Sequence, residues 1–261
     1  MADLVPRIQQ AYFRNGPAHR SGADVSFLDI VKIFGFQSIK IGRWVTAAEQ
    51  QLAANLFFDA LSDLMLLLQV PEQVISLNQS LSLNFGIGGQ QGSCAFYQPQ
   101  GRLLALAKNA GGGSLAHEWF HAFDHYICSK LFADKLPASA FASSSWLTNA
   151  EVSAHPLNQY LDHAFAALFL SPDGTEPNHY VRTSAAFDKQ HGIYYYAKPE
   201  ELAARAFEHM LQQQQVKNSF LVSGTLKSKT AKAGLYPDPT LSAALAQHWL
   251  GYFSLLGRAL R

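Results

Sequence analysis

The run GGGSLAHEWFHAFDHYI, residues 111–127, constrains this chain more than any other stretch. Three glycines and Ser114, a residue able to cap a helix, are followed by Leu115, Trp119, Ala122, Phe123 and Tyr126, apolar positions at helical spacing. Residues four apart on a helix share a face, so His117 and His121 can offer two imidazole nitrogens to one metal ion. Glu118 sits beside that pair, which leaves its carboxylate free to take a proton from a metal-activated water. The order H-E-x-x-H therefore reads as ligand, base, ligand, and the expected cofactor is Zn2+.

Two histidines do not complete a catalytic zinc site, which commonly uses three protein ligands. The metzincin extension would need Gly at 124 and His at 127, where the chain has Asp124 and Ile127. His125 stands about 12 Å up the helix from His117, and Cys128 about three turns away, too far to share one ion. The segment YYYAKPEELAARAFEHML, residues 194–211, offers Glu200, Glu201 and Glu208 instead. Glu201 and Glu208 fall on nearly one helical face, with the small Ala204 between them. Asp124, one turn beyond His121, can accept the second N–H of a ligand imidazole and fix its tautomer. Glu208 can do the same from the other helix, or pair with Arg205. His155, His163, His179 and His191 read as structural or surface histidines.

Composition narrows the partners. The 261 residues are 48% hydrophobic and 15% charged, with a formal net charge of +1 and scattered Lys and Arg, so no basic stripe points to nucleic acid. The N-terminal residues lack an apolar stretch of signal-peptide length, and no segment runs 18 apolar residues without interruption; the expectation is a cytoplasmic protein that does not span a membrane. Cys94 and Cys128 lack metal-ligand spacing and read as buried free thiols.

The organisation expected is α+β. Residues 1–26 read as an irregular N-terminal arm and 27–261 as a single domain with a loop-like insertion at about 133–156. The Thr46–Glu49 spacing is that of a capping box, opening a helix that runs to Gln69. Residues 74–77, 81–85 and 103–107 read as strands of a small mixed sheet, and 86–92 as a flexible loop. Gly111 to Gly113 allow a sharp turn into the His helix. Further helices are expected over 157–170, 199–215 and after Pro239.

HEWFH followed by Asp124, then tyrosine-rich sequence and PEELAARAFE, resembles the gluzincin metallopeptidases. More closely, FGFQSIKIGRWV (34–45), DALSDL (59–64), ISLNQSLSLNFGIGG (75–89), the His run and YYYAKPEELAARAFE resemble the large polyvalent protein-associated domain of phage and conjugative-element proteins. The resemblance implies a mostly helical zincin-like fold with an active-site helix, and a zinc-dependent peptidase acting on a protein or peptide substrate. Its proline two residues before a glutamate implies Glu201 as third ligand, with Glu200 its solvent-exposed neighbour. It also implies a tyrosine that stabilises the oxyanion: Tyr195, or Tyr194 next to it. The strand at 103–107 would be a free edge that pairs with extended substrate, with Lys108 and Asn109 lining the cleft. Where the family has Gly the chain has Phe120, which implies a narrower pocket. A non-catalytic protein-binding module on the same fold is the rival expectation.

Overall fold

The computed structural model describes residues 7–87, 95–108 and 112–261. It is α+β and about half helical, with one four-stranded mixed sheet. Backbone contacts group the chain into two compact units, residues 1–122 with 214–223, and residues 123–213 with 224–261.

In the first unit, α1 (Phe27–Phe34) opens on a reciprocal capping box between Ser26 and Asp29 and closes at Gly35, whose φ of 72° is left-handed. The chain then forms β1 (Ser38–Ile41) and α2 (Ala47–Leu68). The Thr46–Glu49 capping box is present as expected. Glu49 also receives the Lys108 ammonium at 2.8 Å, which holds its carboxyl below the usual carboxylate range. By length and composition α2 could cross a membrane, but half of its most apolar stretch is buried, and Asp59 and Asp63 on it take ion pairs from Arg20 and Arg14. It is a core helix.

The strand expected at 74–77 is absent. Glu72–Ile75 form a helical turn, α3, led in by Pro71, and Leu77, Asn78 and Gln79 all have left-handed φ values of 52–62°. No strand accommodates that backbone. The amides of Val74 and Asn78 are spent locally, on the carbonyls of Pro71 and Gln73.

β2 (Ser82–Phe85), β3 (Ala95–Gln98) and β4 (Leu103–Leu106) complete the sheet, whose order is β1-β2-β4-β3. β1, β2 and β4 are parallel, and β3 returns antiparallel to β4 with Ala95 opposite Leu106. This corrects the free-edge expectation. β4 is interior, hydrogen-bonded on both sides, and its Leu104, Ala105 and Leu106 are buried as an internal parallel strand requires. The outer strands among the described residues are β1 and β3. The described part of the N-terminal arm, residues 7–26, has a 3-10 turn at Arg7–Gln9 and is docked: Ile8 is buried, Arg14 bridges to Asn218 through the backbone, and Arg14 and His19 reach Asp63.

α4 (Leu115–Leu131) carries the histidine run; it begins in the first unit and ends in the second. The second unit continues with α5 (Ala142–Trp146), α6 (Pro156–Phe169), α7 (His179–His191), α8 (Pro199–Gln213), α9 (Lys229–Lys232) and α10 (Pro239–Ala259). α10 packs on α6 and α8. Gly251 makes the first approach possible, since a Cβ there would press into the Tyr160 ring. Phe207, Trp249, Phe253 and Phe123 meet edge-on or tilted at ring separations of 4.9–6.4 Å. The expected insertion is partly helical, as α5, and Phe132 bridges Val152 at its base.

Candidate metal centre

The turn before α4 is built from glycines that nothing larger could replace. A Cβ on Gly112 would strike the Tyr12 ring; one on Gly113 would strike Ser223, and Gly113 has a φ of 91°. Gly111, with Asn109, Cys94 and residues 88–92 of the expected loop, lies outside the described residues. Gly113 and Ala116 donate their amides to the carbonyls of Phe220 and Leu221 at 2.8 and 3.0 Å. Ala116 belongs to the first turn of α4, whose amides have no partner within the helix, so the 218–223 segment supplies the missing acceptors. That segment is itself tied: Asn218 Oδ1 accepts from the amides of Phe220 and Leu221, and its Nδ2 donates to Asp63 at 2.8 Å. Below, the Trp119 indole donates to the Ile75 carbonyl at 2.9 Å.

On this fixed helix start, the Nε2 atoms of His117 and His121 lie 3.1 Å apart. Two nitrogens on one tetrahedral zinc are separated by about 3.3 Å, from bonds of about 2.05 Å, so the pair spans the edge of a coordination tetrahedron. His121 and Glu118 are buried and His117 half-buried. One donor atom each from His117, His121 and Glu201 falls within 4.8 Å of the others. Two imidazoles and one carboxylate form a donor set that suits zinc, and the residues present fit that ion. Phe120 is 1% exposed and is a core residue.

The remaining expected residues are distributed over the second unit. Asp124 is 1% exposed, and its two oxygens accept from the amide and hydroxyl of Ser143 at 2.8 and 2.5 Å. His125 bonds the Ala138 carbonyl at 2.7 Å. The Cys128 sulfur lies 3.5 Å from the Ser145 hydroxyl, and burial pushes its thiol up, as an inert core cysteine requires. Glu200 is half-buried rather than solvent-exposed, because the Ser144 hydroxyl donates to it at 3.0 Å. The Ser143–Ser145 triplet thus ties α5 to α4 and α8. Glu208 is buried and accepts from the Tyr236 phenol at 3.1 Å.

The three tyrosines before α8 differ in kind. Tyr194 and Tyr195 are 68% and 43% exposed, whereas Tyr196 is half-buried against Phe187 and Arg205. The amides of Tyr195, Tyr196 and Ala197 are bound by Asp188, a residue sequence reasoning passed over, as it did Asp63. Each left a trace. Asp63 is a carboxylate inside the apolar run of α2, and Asp188 stands four residues before Gly192 at a helix end. His155, His163, His179 and His191 occupy other settings: His155 caps α6, His163 faces His248, His179 contacts Thr183, and His191 stacks on Phe187.

Residues 187–260 match the family model of the large polyvalent protein-associated domain 1. The match takes in Asp188, the three tyrosines, α8 with Glu201 and Glu208, and all of α10. No curated protein and no solved structure matches the chain.

Proposed function

We propose that this protein is a zinc-dependent peptidase of gluzincin type on a zincin-like fold, cleaving a protein or peptide substrate. The observation that carries the reading is the convergence of His117, His121 and Glu201 donor atoms within 4.8 Å, with the two imidazole nitrogens 3.1 Å apart. When bound, zinc supplies Lewis acidity toward water and a substrate carbonyl. Glu118, adjacent to His117 and buried, takes the proton from the attacking water and passes it to the departing amine. Tyr195, or Tyr194, donates a phenolic hydrogen bond to the carbonyl oxygen as it gains charge. The family match over residues 187–260 supports the placement of Glu201, whose proline-led segment it includes.

Zinc content and turnover test the reading together. Purified protein incubated with zinc and dialysed is expected to retain one ion per chain, and His117→Ala, His121→Ala and Glu201→Ala to lose it. Glu118→Gln retains the ion and loses cleavage of a casein-derived peptide library. Wild-type protein without zinc after this treatment refutes the assignment. Full zinc occupancy with no cleavage identifies the non-catalytic module instead.

A further inference from the structure

We infer that Asp188 is a positioning residue: its carboxylate fixes the turn that carries Tyr194 and Tyr195, and so sets where their phenols stand. The catalytic consequence rests on the peptidase reading; the anchoring stands by itself.

Asp188 lies in the last turn of α7 and is 3% exposed. Its carbonyl accepts the amides of Gly192 and Ile193, which closes the helix through the left-handed Gly192 at φ 64°. Its side chain then reaches past the helix end. Oδ2 accepts from the amides of Tyr195 and Ala197 at 2.9 and 2.8 Å, and Oδ1 from that of Tyr196 at 3.1 Å. Three successive or near-successive amides converging on one point form a nest for an anion. Here the chain supplies that anion itself, and the bonds are charge-assisted.

A second grip acts on the same turn. Arg205, buried on α8, donates to the Tyr196 carbonyl, and its guanidinium lies 5.3 and 5.1 Å from the rings of Tyr180 and Tyr196. The Tyr196 ring meets Phe187 edge-on at 5.0 Å. Tyr196 is therefore consumed in holding the turn, while its two predecessors project outward. The Tyr195 ring meets the Tyr196 ring edge-on at 5.1 Å, so the turn that Asp188 holds also sets the ring against which Tyr195 rests. The turn continues through Lys198 N–H to the Tyr195 carbonyl and Leu202 N–H to the Lys198 carbonyl, into the first turn of α8 beside Glu201. An asparagine at 188 would keep the shape but present one acceptor oxygen and an amide donor to three N–H groups.

The test compares wild type, Asp188→Asn and Asp188→Glu. Hydrogen exchange of the apo proteins is expected to show lost protection at Tyr195, Tyr196 and Ala197 in Asp188→Asn, with the middle of α7 unchanged. In the zinc-loaded proteins kcat should fall about ten- to a hundredfold, the scale of a misplacement near 1 Å, with KM and zinc affinity unchanged. Asp188→Glu, which keeps the charge but displaces it by one methylene, should give a smaller loss in both measurements, and it decides the matter if Asp188→Asn does not fold. Unchanged exchange at residues 195–197 overturns the anchoring, and kcat within twofold of wild type overturns its catalytic role. Wild-type protein that holds zinc but cleaves nothing overturns the peptidase reading and the catalytic role with it, and the exchange data then decide the anchoring alone.

Discussion

Replacing Asp63 with alanine should unsettle the start of α4 without touching a metal-site residue. Asp63 is fully buried and accepts from Arg14 Nε and Nη2 at 2.6 and 2.7 Å, from His19 Nε2 at 2.8 Å and from Asn218 Nδ2 at 2.8 Å. Hydrogen bonds to a charged group contribute about 1.5–3 kcal/mol each, but those sharing one carboxylate are far from additive. The better guide is the cost of breaking a buried ion pair from one side, about 3–5 kcal/mol. The Arg14 and His19 side chains each keep 20% exposure, so water recovers part of the loss. The low end, about 3 kcal/mol, is expected for Asp63→Ala. With a urea dependence of about 3 kcal/mol per molar, the midpoint moves down by about 1 M. Because the chain has two compact units, the unfolding probe must report on the first. Amide exchange at Gly113 and Ala116 does so, since their acceptors sit on the segment Asn218 holds. A shift below about 0.3 M, or unaltered exchange at both amides, refutes the claim that Asp63 supports the histidine helix.

Other outcomes follow from particular contacts. Ser143→Ala leaves the buried Asp124 carboxylate short of a hydroxyl donor and should cost about 1.5–3 kcal/mol, read as a lowered thermal midpoint; an unchanged midpoint contradicts the role given to that bond. Tyr195→Phe should lower kcat about a hundredfold if its phenol is the oxyanion donor, with Tyr194→Phe near wild type, and the reverse pattern transfers the role to Tyr194. Burial holds the His209 imidazole below its ordinary value, against weaker upward pulls from Thr225, Glu208 and Pro237, and burial with His163 does the same to His248. The unfolded chain therefore takes up protons first, so this stability is present above about pH 6.5 and drains away as pH falls toward the folded values. Thermal midpoints at pH 7.5 and 5.5 should differ less in His209→Gln than in wild type; equal differences in that variant and in His248→Gln exclude both residues as the source.

What could be read from the sequence was whatever local chemistry dictates. The Thr46–Glu49 box, the stop near Gln69 and the prolines at the starts of α6, α8 and α10 are decided within a few residues, and the helices are found there. The spacing of His117 and His121 belongs to the same class, because helix geometry alone brings them onto one face. Residues 74–77 show the opposite case. Val74 and Ile75 have strand-like side chains, but Pro71 and the left-handed backbone at 77–79 turn the segment into a helix. β1 and β3 are no shorter than β2 and β4 but contain no fully buried residue, so no buried apolar run announces them, and their strand character comes from the neighbours they pair with. Asp63 and Asp188 escaped notice for a related reason. Their partners lie as far off as Asn218 and as close as Tyr195, and nothing in the composition around either carboxylate marks those partners.

The excursion between α4 and α6 closes on itself through the main chain: the Ala133 amide reaches the Glu151 carbonyl and the Ser153 amide the Leu131 carbonyl, both at 2.8 Å. His125 likewise grips a carbonyl, that of Ala138, rather than a side chain. Backbone stems of this kind are indifferent to most of what hangs from them. Natural drift, or a protein engineer, can therefore exchange the residues between the stem and Phe141 as a cassette, provided Ser143 and Ser144 remain to meet Asp124 and Glu200.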